Sequence, residues 1–217
     1  MKEITVGIMI PIFNRSHYVE QCFKSLKESQ HKLPRCILCL IDDGSSSQKT
    51  KDLIRNFHLD SVPIIKIFKP MNVGMWHSMR MGLDLLADYG CEHLINLDSD
   101  TIVKPDWVLK ISDLLTRFPN NIASGFKVSG DYNLIETHKD YYLKYNTGGV
   151  SQGYTKAIYL AEVRGHLTSN LWDVDLGKAA KNNNWYYYVT NPSVVQHIGR
   201  DGVNCRPGIL YDCADDF

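Results

Sequence analysis

The chain has 217 residues, 44% of them hydrophobic and 22% charged. That composition fits one folded domain and excludes disordered and fibrous classes. Its 24 Lys and Arg balance 24 Asp and Glu, so it lacks the charge footprint of a general nucleic-acid binder. An anionic ligand must then be met by a few placed groups or by a metal.

Residues 4–10 predict a buried strand. Ser16 is placed to cap a helix over 17–29, with Val19, Cys22, Phe23 and Leu26 on one face. Residues 36–41 predict a second strand, closing on Asp42-Asp43-Gly44, and helical spacing returns with Leu53, Ile54 and Phe57. Residues 62–68 read as a third strand, 76–89 as a helix, and 93–97 as a fourth strand ending at Asp98-Ser99-Asp100. Pro105 suits the first turn of a helix to about 118. A fifth strand follows over 122–128. This alternation predicts an α/β fold, a mostly parallel sheet with helices on both faces. Ligands of such sheets sit at the carboxyl ends of the strands. The polar clusters fall there: Asn14-Arg15, Asp42-Asp43, Asn72-Val73-Gly74 and Asp98-Ser99-Asp100.

Beyond residue 129 the pattern changes. Residues 132–159 are rich in tyrosine, include Gly148-Gly149 and show no clean alternation. Residues 171–183 predict a helix, 185–189 and 194–197 predict strands, and 199–217 reads as an irregular tail.

The apolar stretch after Met1 is short, contains Gly7 and Pro11, and lacks a small-residue cleavage site. It reads as a core strand rather than a leader. No apolar run approaches the roughly 20 residues of a membrane span. The six cysteines are scattered. Cys36 and Cys39 are three apart in a strand, so they point to opposite faces and make a poor metal clamp. Buried, reduced thiols and a cytoplasmic setting are the expectation.

Asp98 and Asp100 are hard oxygen ligands at a strand end, suited to Mg²⁺ or Mn²⁺. The alternative is an acidic turn that caps the helix near Pro105. Asp42 and Asp43 read either as a simple turn or as acceptors for a base or ribose. Asp173 and Asp175 either serve the helix dipole or supply a general base at Asp173. His197 is a candidate third metal ligand, and Arg200 a candidate phosphate contact. His77 and Arg80 lie one turn apart, facing either a diphosphate or solvent.

Taken in order, these pieces resemble the inverting GT-A glycosyltransferases of family 2. Pro11-Ile12-Phe13-Asn14-Arg15 is similar to that family's opening strand end. Asp42-Asp43-Gly44-Ser45 resembles its nucleoside-binding turn, and Asn72-Val73-Gly74 with the helix that follows resembles its N-x-G segment. Asp98-Ser99-Asp100 resembles its D-x-D, Trp172-Asp173-Val174-Asp175-Leu176 its base motif, and His197 its late metal histidine.

The resemblance implies one GT-A domain over 1–217. Residues 1–128 would hold the nucleotide-sugar and 129–217 the acceptor and catalytic base. It implies a UDP-sugar donor, UDP-glucose as a first guess, and a glycan or other acceptor hydroxyl. It implies that the backbone at Pro11 and Ile12, with Asp42 or Asp43, holds the base. Asp98 would hold the ribose or lie near the metal. Asp100 and His197 would ligate Mn²⁺ or Mg²⁺, and Asp173 would be the base. Gly148-Gly149 resembles an acceptor-side loop. The family's usual Glu is replaced by Trp172, which would instead stack on an acceptor sugar. The hydrophobic C-terminal extension of membrane-bound relatives is not in this sequence. That turns the expectation toward a soluble acceptor or further domains of a longer chain. Two other readings stand beside this one. A haloacid-dehalogenase-type phosphatase would use Asp98 as nucleophile, and a nucleotide-sugar-binding module would not turn over.

Overall fold

The computed structural model of the chain describes residues 4–130, 133–200 and 213–217. Its first half runs β1 (Val6–Ile12), α1 (Ser16–Ser29), β2 (Cys36–Asp42), α2 (Gln48–Asn56), β3 (Ile64–Phe68), α3 (Met75–Asp88), β4 (His93–Leu97), β5 (Thr101–Val103), α4 (Trp107–Arg117) and β6 (Ile122–Ser124). The second half adds β7 (Leu134–Thr137), β8 (Tyr141–Lys144), β9 (Ser151–Thr155), α5 (Lys156–Ala161), α6 (Trp172–Asn182), β10 (Tyr187–Thr190) and β11 (Val195–His197).

Nine of these strands form one sheet in the order β3-β2-β1-β4-β9-β6-β10-β8-β7. The pairings set seven strands in one direction and only β8 and β9 against them. The expected mostly parallel sheet is therefore present. Both halves of the chain build it, because β9 inserts between β4 and β6.

Each face of the sheet carries its own apolar core. Val6, Ile8, Ile10 and Ile12 of β1 pack with Val19, Phe23 and Leu26 of α1, Ile54 of α2 and Trp107 and Ile111 of α4. Met9, between them, packs on the other face with Met79 and Leu83 of α3, Tyr159 of α5 and Leu176 of α6. Period-2 alternation in a doubly covered strand explains why β1 is apolar throughout. The same period sends Cys36 to the first core and Cys39 to the second. Burial pushes these thiols up, to about 11 at Cys36 and about 12 at Cys39. Cys205 lies outside the described residues.

Pro11 sits inside a central strand without breaking it. The β1–β4 register ends at Met9↔Asn96, so the proton Pro11 lacks serves no ladder bond on that side.

Several boundaries differ from the sequence reading. Ser16 is the first helical residue of α1 rather than its cap. Arg15 takes the cap position in the left-handed region, with φ 49° and no side-chain cap bond. Strand β5 follows the D-x-D, and α4 starts two residues after Pro105. Strands β7, β8 and β9 and helix α5 were not legible in the sequence. β9 reads Ser-Gln-Gly-Tyr-Thr, yet its first four residues are buried, so it has no apolar pattern to detect. Most of the expected irregular tail lies outside the described residues. No described helix is long and apolar enough to cross a membrane.

Candidate active site

Strands β1, β2 and β4 run parallel, so their carboxyl ends share one edge of the sheet. The β1 end continues into Asn14 and Arg15, both in the left-handed region. Asn14 Oδ1 accepts from the backbone N–H groups of Ser46 at 2.9 Å and Ser47 at 3.0 Å. Its own N–H donates to Ser45 Oγ at 2.7 Å. Asn14 is thus a clamp between two loops, with its acceptor atom committed to protein rather than to a nucleotide. The clamp presents Arg15, whose Nη1 lies 2.8 Å from Asp100 Oδ2.

The two carboxylates after β2 part company. Asp43 is 2% exposed. Its Oδ1 meets Lys69 Nζ at 3.1 Å and the Val73 N–H at 3.3 Å, and its Oδ2 accepts from Gly74 N–H at 3.0 Å. It is occupied in holding the Asn72-Val73-Gly74 loop, which corrects its expected role in holding a base. Asp42 Oδ1 accepts from Ser45 N–H at 3.1 Å, while its Oδ2 is buried without a partner. Asn72 is exposed. Gly74 opens α3 at φ 102°, a backbone that side-chain-bearing residues rarely adopt.

His77 and Arg80 are not a matched pair. His77 Nδ1 lies 3.1 Å from Lys69 Nζ, which requires it to accept there. Arg80 instead acts with Arg164 on Asp84, favouring that carboxylate.

The D-x-D turn is held by its strands. Asp98 N–H donates to Val150 O at 2.9 Å and Ile198 N–H donates to Asp100 O at 2.8 Å. β5 pairs antiparallel with β11, setting His197 opposite Thr101. This register brings the late histidine to the acidic turn, 97 positions earlier in the chain than His197 itself. His197 Nε2 is 3.3 Å from Asp100 Oδ2. The turn does not cap α4, whose cap is Asp106, so the helix-capping alternative for Asp98 and Asp100 falls. Ser99 is buried between them.

The electrostatics divide the pair. Burial and the neighbouring Asp100 charge push the Asp98 carboxyl well above its ordinary value. Burial also opposes ionisation of Asp100. The hydrogen bond and charge of His197 and the Arg15 guanidinium outweigh it and hold Asp100 below its ordinary value. Gly199 closes the site. A Cβ there would lie 2.2 Å from Asp100 Oδ2. Arg200, exposed, follows it and donates its backbone N–H to Tyr18 Oη at 2.9 Å.

Among the described residues, no group of three or more His, Cys, Asp and Glu side chains stands ready to hold a metal. Asp100 and His197 are in contact, 3.3 Å apart. The donor chemistry nonetheless fits a hard divalent cation. Asp98 Oδ1 is sealed from solvent and unpartnered, and Asp100 already attracts a cationic group.

Asp173 opens α6 with Asp175. Its Oδ1 accepts from Val174 N–H at 2.9 Å, and Gly149 lies against it. Burial raises it above the ordinary carboxylate value, although these backbone neighbours favour the charged form. Asp175 pairs with Lys178 on the surface at 3.3 Å, so the helix-end reading suits it.

Trp172 is corrected. It is 1% exposed, and a Cβ at Gly149 would meet its ring at 2.5 Å. Its ring packs against backbone and offers no face to a sugar. Gly149 admits that ring, and Gly148 sits in ordinary contact with Phe126 and Val128.

The sequence reading passed over Lys69, Tyr18 and Asn96. Asn96 carried a signal, a lone amide in the apolar run Leu94-Ile95-Asn96-Leu97. A buried polar side chain must find partners.

The sequence profile described as "Glycosyl transferase family 2" matches residues 7–167. An N-acetylglucosaminyltransferase of Rhizobium leguminosarum bv. viciae is 27% identical over 109 residues, half of this chain and 24% of that protein. GalNAc-T7, solved with UDP, GalNAc and Mn²⁺, superposes with TM-score 0.70 at 13% identity, covering 91% of this chain and 44% of that one. S. aureus TarS 1-349, solved with UDP-GlcNAc, gives TM-score 0.69 at 13% identity, covering 95% of this chain and 62% of that one. The chain therefore spans less than two thirds of these relatives, and the two structures share its fold. With the family profile matched over most of its length, the chain belongs to glycosyl transferase family 2.

Proposed function

We propose that the chain is a divalent-metal-dependent glycosyltransferase that moves a hexose from a UDP-sugar to an acceptor hydroxyl, with inversion. The observation that carries this is the contact of Asp100 with His197 in the turn that Asp98 opens, with Asp173 at the head of α6. Asp98, Asp100 and His197 would hold Mn²⁺ or Mg²⁺. When bound, the cation neutralises the charge that develops on the diphosphate leaving group. The unpartnered Asp42 Oδ2 is the carboxylate oxygen suited to accept from a base N–H. The backbone at Pro11 and Ile12 leads the chain to that point. Arg15 and Arg200 flank the Asp100 side as phosphate contacts.

Asp173 takes the proton of the acceptor hydroxyl as the oxygen attacks the anomeric carbon. The bond to the diphosphate breaks on the opposite side. The products are the inverted glycoside, UDP and a protonated Asp173. A carboxyl raised by burial is a better base than one in water. The acceptor is a glycan or glycoconjugate. UDP-glucose remains a first donor to try. The relatives named for N-acetylglucosamine and N-acetylgalactosamine put UDP-GlcNAc and UDP-GalNAc beside it.

The test is calorimetry with UDP, GDP, CMP and dTDP, with and without Mn²⁺. UDP should bind with the metal and much less without it. Failure of every nucleotide to bind with metal overturns the proposal. Release of phosphate from simple phosphomonoesters would favour the dehalogenase-type alternative.

A further inference from the structure

We propose that Asn96 is a positioning residue that sets the general base by holding the Gly149 peptide. The inference rests on the reading of Asp173 as that base.

Asn96, Gln152 and Tyr154 are each 0% exposed, side by side on the neighbouring strands β4 and β9. Asn96 Nδ2 donates to Gly149 O at 2.7 Å. The same residue abuts the base: a Cβ built on Gly149 would stand 3.3 Å from Asp173 Cβ, and its backbone favours the ionised carboxyl. One residue thus passes a restraint from β4 to the head of α6. The amide is oriented by Tyr154, whose single hydroxyl proton is shared between Gln152 Oε1 at 2.8 Å and Asn96 Oδ1 at 3.3 Å. Gln152 stands opposite Asn96 in the β4–β9 register, and its Nε2 faces Gly148 O at 3.4 Å.

The alternative of a purely structural amide is weaker for two reasons. An apolar pair at Asn96 and Gln152 would satisfy the core without needing three buried polar groups. Two of the bonds also end on adjacent carbonyls, those of Gly148 and Gly149, and Gly149 abuts Asp173. Gly149 has no slack, because the Trp172 ring fills the space a Cβ would take. Asn96 lies in β4, whose end leads directly into Asp98. One strand therefore both holds Gly149 and leads into the D-x-D turn.

The experiment compares the full chain with Asn96→Leu, Tyr154→Phe and Asp173→Asn, under Mn²⁺ and saturating UDP-sugar. Asn96→Leu should lower kcat about 10- to 100-fold, the scale of a misplaced catalytic group. UDP affinity with Mn²⁺ should stay within about threefold of wild type, as expected for a loss confined to the reacting geometry. Tyr154→Phe should lower kcat by roughly 3- to 10-fold with the same affinity. The acid limb of the kcat profile should move to higher pH in both, because the Gly149 backbone beside Asp173 favours its ionised form. The other groups acting on that carboxyl, or acted on by it, are Asp175, Asp98, Tyr154 and Tyr187, and these are held constant in Asn96→Leu. Unchanged kcat in both variants overturns the proposal. So does a parallel fall of kcat and donor affinity, which marks a general structural role. If Asn96→Leu does not fold, Tyr154→Phe decides alone. Full transfer by Asp173→Asn overturns the base assignment and the positioning with it.

Discussion

Arg15 Nη1 lies 2.8 Å from Asp100 Oδ2, so the chain itself supplies a cation to its D-x-D carboxylate. Asp100 is nearly buried while Arg15 is about a third exposed. A divalent ion that takes Asp100 must compete with that guanidinium. Arg15→Gly removes the competitor, and glycine is at ease at φ 49°. An exposed-side pair is worth about 1 kcal/mol. Mn²⁺ affinity without nucleotide should therefore rise about fivefold, read by calorimetry. UDP affinity in the presence of Mn²⁺ should fall if the same guanidinium serves as the proposed phosphate contact. A weaker metal affinity in the variant would count against this competition.

Gly199 makes the sharpest steric prediction. A Cβ there would stand 2.2 Å from Asp100 Oδ2 and 3.0 Å from His197 Nε2. Gly199→Ala must move one of the two residues meant to hold the metal. Transfer should drop by at least about tenfold at fixed Mn²⁺, with partial recovery as Mn²⁺ is raised. Gly165→Ala is the matched control, since a Cβ there meets nothing within 4 Å. Equal activity in the two variants would remove Gly199 from the site.

Asp43 and Lys69 form a pair that is 3% and 9% exposed at the side chains. Removing one partner leaves a buried charge. Asp43→Ala should cost about 3 kcal/mol of unfolding free energy, read by urea titration. Combining it with Lys69→Met should recover part of that loss, because the stranded charge is gone. A double variant as unstable as the sum of both singles would contradict the pairing.

The fold was legible where burial is two-sided and apolar. Strands β1, β2 and β4 announced themselves as Val, Ile and Leu runs, and their ends located the acidic turns. β9 was not legible, because its burial is made tolerable by hydrogen bonds rather than by apolar side chains. Ser124 Oγ donates to Ser151 O at 2.6 Å, and Tyr154 and Gln152 bond each other. Asp98, Asp100, His197 and Asp173 were singled out as candidate site residues by local pattern and resemblance. Their partners were not. Arg15 reaches Asp100 only because α1 begins in the left-handed region, and no spacing in the sequence encodes that meeting. Asp43 was misassigned for the same reason, since its partners Lys69 and Gly74 lie on the next crossover. Trp172 was misassigned because an aromatic residue beside a base motif reads alike whether it faces a sugar or the Gly149 backbone.

Asp84 gives the pH prediction. Its Oδ1 accepts from Arg164 Nε at 2.7 Å and from Tyr159 Oη at 2.7 Å, and its Oδ2 accepts from Arg164 Nη2 at 2.9 Å. These bonds tie α3 to α5 and to the short helical turn Val163–His166. Burial opposes the charged form, but the Arg164 and Tyr159 bonds outweigh it and hold Asp84 below its ordinary value of 3.8. A carboxyl depressed in the folded state stabilises it above the unfolded value. That contribution is lost as pH falls through the folded value. Asp84→Asn should therefore lower the thermal midpoint at pH 7 by about 2–4 °C. The gap between variant and wild type should narrow as the pH is lowered below 3.8. Calorimetric scans at pH 7, 5 and 3.5 would show it. A gap that widens toward acid would mean that Asp84 is held by its neighbours in the neutral form, and that Arg164 contributes nothing to the tie between α3 and α5.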